Sequence, residues 1–190
     1  MKKFLILCVI MVSAALSSLC SQKEFTVKAL ALTKDEQRIA SFLSDVSYKF
    51  LLEKGRQYEI NLYLYKDGLL ENIGGASGNS SNNNILYISG RRSGNVGYEW
   101  NILWYGKAKY PAAEIDDDRT FAALSGSGIG SSVVMEEGKE YVLAYVGYIE
   151  GNSIPTSMTE PFFEWSTLTD KAGALGGFAY AYVITIEKEQ

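Results

Sequence analysis

From Ser47 to its end the chain carries apolar residues with a period of two, in short runs broken by Gly, Asn, Ser and Asp. Successive side chains of a strand point to opposite faces, so this pattern dictates strands, each with one face for a core. Eight runs qualify: 47–53, 58–66, 85–89, 98–105, 120–124, 131–135, 140–149 and 178–188. Tyr, Ile, Val, Leu and Trp dominate them, and their spacing predicts an all-β fold built as a β-sandwich, immunoglobulin-like or jelly-roll-like. The Asp-Gly pair at 67–68 predicts a tight hairpin. The stretch GGASGNSSNNN at 74–84 reads as a polar loop, and GSGIGSS at 126–132 as a further turn.

One helix precedes the strands. Thr33 and Glu36 stand at capping-box spacing, and Ile39, Phe42, Leu43 and Val46 follow on one stripe, predicting a helix at about 34–45. The expectation is that this stripe packs on a sheet or closes one end of the sandwich. In strand 98–105, alternation sets Tyr98, Trp100, Ile102 and Trp104 towards the core. In the last run, Phe178, Tyr180, Tyr182, Ile184 and Ile186 share one face, while Ala179, Ala181, Val183 and Thr185 share the other. Two apolar faces predict a central strand, with the small alanines admitting close approach of the helix.

The sequences LEKGRQYEINLYLY (52–65) and MEEGKEYVLAYVGY (135–148) match without a gap through an acidic residue, a glycine, a basic residue and a tyrosine. The glycines fall where a turn needs positive φ, and the tyrosines open strands. This resembles the tyrosine corner of immunoglobulin-like sandwiches, which implies that the Tyr58 and Tyr141 hydroxyls bond back to their turns. Alternation places Tyr58, Ile60, Leu62 and Leu64 on one face, and Tyr141, Leu143, Tyr145 and Gly147 on one face of the second copy. The repeat reads as one structural solution used twice.

The N-terminus, MKKFLILCVIMVSAALSSLCSQ, has a short basic start and an apolar run from Phe4 to Leu19. This is a secretory layout, so residues 1–20 are expected to be a signal peptide, 21–32 an N-terminal leader, and 33–190 a single domain. Ala15-Leu16-Ser17 offers a cleavage site. Alternatively, Cys20 followed by Ser21 and Gln22 resembles the lipobox of bacterial lipoproteins, with a departure at Leu19, where that family has a small residue. The resemblance implies lipidation at Cys20 and a membrane contact only through that anchor. After Cys20 there is no cysteine, so the domain stands on its apolar core. Without Lys2 and Lys3 the chain keeps 16 basic residues against 22 acidic, a net charge of −6, which argues against nucleic acid as a partner.

The chain contains no histidine. That excludes Ser-His-Asp and Cys-His catalysis and any His-ligated metal. Carboxylate chemistry remains open: Glu99 and Glu164 lie beside aromatic residues, a setting that raises a pKa. Asp116, Asp117 and Asp118 supply oxygens at a density that suits calcium, although the spaced Asp-x-Asp-x-Asp-Gly loop is missing and a solvated acidic turn is the simpler reading. Exposed aromatics are the better lead. Tyr63 and Tyr65 fall opposite the Tyr58–Leu64 face, and Phe162, Phe163 and Trp165 sit in a Pro-punctuated segment, so these five are the expected ligand-contacting residues. The resulting expectation is a non-enzymatic, cofactor-free, extracytoplasmic bacterial surface or lipoprotein-like module that binds an extracellular protein, peptide or glycan. The alternatives are a carboxylate-dependent glycan-active enzyme and an envelope or pilus assembly subunit whose C-terminal strand pairs with a neighbour.

Overall fold

The structure is a computed structural model, and it describes residues 26–104, 106–111, 115, 117–127, 129–154 and 175–189. The elements run β1 (Val27–Leu30), α1 (Lys34–Leu43), β2 (Val46–Leu52), β3 (Gln57–Lys66), β4 (Leu69–Asn79) and β5 (Ile85–Ser93). They continue with β6 (Gly97–Leu103), β7 (Lys107–Tyr110), β8 (Phe121–Ser127), β9 (Ser132–Val133), β10 (Glu140–Glu150) and β11 (Tyr180–Lys188). Two antiparallel sheets result, a six-stranded one in the order β7-β6-β5-β2-β1-β9 and a five-stranded one in the order β4-β3-β11-β10-β8. Packed together they make the expected all-β sandwich.

Alternation builds the core between the sheets. Tyr58, Ile60 and Leu62 of β3 and Tyr182, Ile184 and Ile186 of β11 meet Phe50, Leu86, Ile88 and Trp100 of the opposite sheet, all fully buried or nearly so. Tyr98, Ile102 and Trp104 join them, as the pattern of that strand requires. β11 lies centrally, with β3 on one side and β10 on the other. Its second face is buried too, but α1 does not cover it. Ala181 and Val183 belong instead to a second apolar cluster on the outside of the five-stranded sheet, with Tyr65, Val142, Tyr145, Ile149, Leu175 and Phe178. Phe178 is therefore on the outer side, before β11 begins, and not on the inner face with Tyr180.

Both corner tyrosines bond back to their turns. The Tyr58 hydroxyl donates to the carbonyls of Thr26 (3.2 Å) and Glu53 (3.4 Å), while the Tyr141 hydroxyl accepts from the Glu136 amide at 3.1 Å. Gly55 and Gly138 have φ of 80° and 70°, the left-handed region that glycine enters without steric cost. After the second corner the faces depart from simple alternation. A bulge between Val142 and Ala144 turns both Leu143 and Ala144 inward, so Tyr145 and Gly147 emerge on the outer face, apart from Tyr141.

The other correction is at 74–84. Residues 74–79 are not a loop but the second half of β4, paired with β3 from Leu62 down to Gln57. The Asp67-Gly68 turn, with φ of 52° and 79°, sets the hairpin register, and the ladder then extends through residues of low strand propensity. Gly74 is required there: a Cβ would stand 2.4 Å from the ring of Tyr110 on β7.

Candidate ligand-binding groove

The helix begins where its capping box predicts. The Thr33 hydroxyl accepts the Glu36 amide (3.3 Å) and Glu36 Oε2 accepts the Thr33 amide (2.7 Å). The other oxygen of the same carboxylate, Oε1, reaches the sheet and accepts Lys49 Nζ from β2 (2.8 Å) and the Tyr87 hydroxyl from β5 (2.6 Å). Lys49 and Tyr87 are cross-strand partners on the outer face of the six-stranded sheet. Glu36 thus starts the helix and fastens it. Lys49 first, then Tyr87 and the Thr33 amide, hold its carboxyl down at about 2.

That fastening is polar, and the apolar stripe is left out of it. No residue of α1 is buried; Ile39, Phe42 and Leu43 are 60, 77 and 66 % exposed. The expectation that the stripe packs against a sheet is corrected accordingly. Val46, its expected fourth member, is the first residue of β2 and packs on the inner core. Helix and sheet meet through an ion pair and the Tyr87 hydroxyl, so a space remains between them. It is a groove of about 560 Å³, with one wall made by Leu32, Ile39, Ala40 and Leu43. The floor is the outer face of β5, β6 and β7, with Tyr87, Ser89, Asn101 and Leu103. Glu99 and Lys109 close the far side and pair with each other at 2.9 Å. Among the described residues, the half-buried side chains of Ser89 and Asn101 have no hydrogen-bond partner. The groove therefore combines an apolar wall with unspent hydrogen-bonding groups on its floor, the usual make-up of a small-ligand site.

Of the aromatic residues expected to contact a ligand, the two that are described, Tyr63 and Tyr65, lie on the other sheet. Tyr65 is buried in the second cluster and Tyr63 is half-buried against it, with its hydroxyl donating to Glu140 Oε1 at 2.9 Å. Asn61 and Thr185 donate to that same oxygen, so Tyr63 is one member of a polar knot on the outer face and the pair is not an exposed platform. Phe162, Phe163, Trp165, Glu164, Asp116 and Cys20 are outside the described residues. Glu99, the other acid considered for catalysis, is the partner of Lys109. Asp117 is tied to Arg119 (2.7 Å) and accepts the Tyr180 hydroxyl (2.6 Å), and Arg119 above all holds its carboxyl well below the ordinary range. Asp118 is exposed. Among the described residues no three acidic side chains are placed to hold a metal ion, and no helix is long and apolar enough to cross a membrane.

Glu36 could be read from the sequence as a capping residue, but its partners Lys49 and Tyr87 come from two other elements, and no local signal marks them. Asn101 and Leu103 were legible only as the solvent side of a strand. No family model, curated protein or solved structure matches this chain.

Proposed function

We propose that this chain is a non-enzymatic, extracytoplasmic surface module that holds an extended peptide segment of another protein in the groove between α1 and the six-stranded sheet. The observation that carries this reading is the helix itself: an amphipathic, well-capped helix keeps its apolar residues out of the core and lines an open groove with them. Exposing Ile39 and Leu43 forgoes roughly 25 cal/mol for each Å² of apolar surface, and a bound partner recovers it. An extended peptide suits both sides of the groove, with apolar side chains against α1 and main-chain groups on Ser89 and Asn101. A glycan would stack on a free aromatic face, and Lys49 Nζ stands over the ring of Tyr87 on the floor, 5.2 Å from its centroid.

Selection of binders from a displayed library of random peptides tests the reading. Ile39→Asp and Leu43→Asp are expected to abolish capture of the selected peptides while leaving the melting temperature unchanged, because both positions are exposed. Capture that survives both substitutions would remove the groove from consideration.

The anchor at Cys20 belongs to the same proposal. Five residues separate Cys20 from Thr26, six Cα steps with a reach of about 20 Å, so a lipid there would hold the Val27 end of β1 close to a bilayer. The helix follows the opposite end of β1. Labelling with a fatty-acid analogue is expected to tag the wild type and to miss Cys20→Ala; equal labelling of both would end the lipoprotein reading and leave secretion in place.

A further inference from the structure

An antiparallel sandwich has four edge strands, and three of them here are blunted. β9 is two residues long, and β7 is four, with Lys107 and Lys109 in its sequence. β4 is eleven residues but is broken by a bulge at Ile73 (Leu62 pairs with Gly74 and Tyr63 with Asn72), and the Tyr110 hydroxyl donates to its Gly75 carbonyl. Short length, lysines and bulges are the devices by which sheet edges avoid pairing with another chain.

β8 has none of them. Its sequence, FAALSGS, is seven residues without a charge, a proline or a bulge, and among the described residues it pairs in continuous register with β10 on one side only. Ala123 and Ser125 are exposed although they point towards the inner side of the sheet. Gly126 is small for a reason internal to the fold, since a Cβ there would stand 2.6 Å from the Tyr145 hydroxyl. Ser125 is partnered within the fold by the Tyr48 hydroxyl of the opposite sheet, but Ala123 has no such reason, and the small residues leave the rim flat.

We infer that β8 is the joining edge for a second copy of this chain, paired β8 to β8 in antiparallel fashion about a two-fold axis at Leu124. The strand is complementary to itself. In that register Phe121 faces Ser127 of the other copy, Ala122 faces Gly126 and Ala123 faces Ser125, so no like charges are opposed and no bulky groups collide. Leu124, half-buried at the margin of the second apolar cluster, meets its own counterpart at the axis. The two outer clusters become one, and the two five-stranded sheets become a continuous sheet. This inference is independent of the groove, which lies on the other sheet.

Light scattering on the full-length chain tests it. The wild type is expected at twice the mass of a single chain, and Ala123→Lys at the mass of one, because each lysine then crowds Ser125 of the other copy and the two like charges stand diagonally across the axis, about 7–8 Å apart. Leu69→Lys, on the β4 edge where Leu69 is exposed, supplies the same charge and should leave the pair intact. In Leu124→Cys, made together with Cys8→Ala and Cys20→Ala, the two thiols stand opposite each other and should form a disulfide-linked pair on a non-reducing gel. A wild type that stays single, a pair that survives both Ala123→Lys and Ser125→Lys, or a pair that Leu124→Cys does not link would each overturn the inference. A wild type that instead recovers an unrelated strand-donating protein would assign the edge to that partner and refute self-pairing.

Discussion

On the outside of the five-stranded sheet, Val142, Ala181 and Val183 are 1 % exposed or less. On the outside of the six-stranded sheet, the large apolar residues of the helix, Ile39, Phe42 and Leu43, are more than half exposed. Both faces receive an additional piece of the same chain, so the difference lies in what joins the piece to the sheet. Leu175 and Phe178 join the first face through apolar contact, which is non-directional and favours closing every gap. Glu36 joins α1 to the second through a directional ion pair and hydrogen bonds, which set a distance and tolerate a gap. The first face has become core, and the second has kept room for a ligand.

The largest break in that comparison is a charge placed on each face. Val183→Asp buries a carboxylate without a partner in the second cluster and is expected to cost on the order of 4 kcal/mol or more, a large fraction of the stability of a domain this size. Ile39→Asp, on the groove wall, should stay within about 0.5 kcal/mol of wild type. Urea denaturation of the two variants measures both. If Ile39→Asp proved the more damaging, the helix would be part of the core and the groove closed.

Next in size are the two corners, which bind the loops to the strands that both faces share. Tyr58→Phe and Tyr141→Phe should each lose about 1 kcal/mol. The Tyr58 corner is the more redundant, since its two carbonyl acceptors also take the Glu53 amide (2.7 Å) and the Ser80 hydroxyl (2.5 Å). The Glu136 amide, by contrast, depends on Tyr141 for its bond. Neither change touches the groove, so peptide capture should be unaltered wherever the domain is folded. Capture lost without a shift in melting would show that the repeated stretch is a site.

What could be read in advance follows the reach of each interaction. The capping box at Thr33, the glycine turns and the alternation of β3 and β11 are local, and the sequence carries them in full. The bulge at Val142/Ala144 is not local: it answers the packing of Leu143 and Ala144 against the opposite sheet, and it moved Tyr145 to the other face. β4 was missed because its glycines speak against a strand, while the hairpin register that overrides them is set at Asp67-Gly68. Alternation assigned Tyr63 and Tyr65 to the outer face correctly. That this face is itself covered depends on Leu175 and Phe178, more than 100 residues further along the chain. The groove is the least legible feature, since it requires Glu36, Lys49 and Tyr87 to converge from three elements.

Acid separates the two faces by a smaller, local effect. The Glu36 carboxyl is depressed from an ordinary 4.5 to about 2, so the stabilisation it gives the helix is present above pH 4.5 and is lost as the pH falls towards 2. Across that window the Cα chemical shifts of residues 34–43 should move towards coil values while those of β10 and β11 hold. Glu36→Gln should produce the same shifts at neutral pH and remove the pH dependence. Concerted loss of helix and sheet signals would mean that the helix is not fastened independently.

The smallest effect sharpens the picture of the covered face. Glu140, Glu187 and Glu59 stand directly opposite one another across β10, β11 and β3, so the apolar cluster gives way at one end to a row of like charges. Burial, then Glu140, Glu59 and Glu189, raise the Glu187 carboxyl above its usual value. The sign is opposite to that of Glu36. A raised carboxyl favours the folded chain while it is protonated, and that contribution is lost as the pH rises through the folded value, so the ionised row opposes folding at neutral pH. Glu187→Gln should therefore stabilise the domain at pH 7 by about 0.3 kcal/mol, a figure kept small because Glu187 and Glu140 are only half-buried, Glu59 is exposed, and salt screens their repulsion. The gain should shrink in high salt and vanish below pH 4.5, where Glu187 is protonated in both states. If Glu187→Gln were destabilising at pH 7, the carboxylate would be making a favourable contact on this face, and the row would have to be read as a binding surface and not as the frayed end of the second cluster.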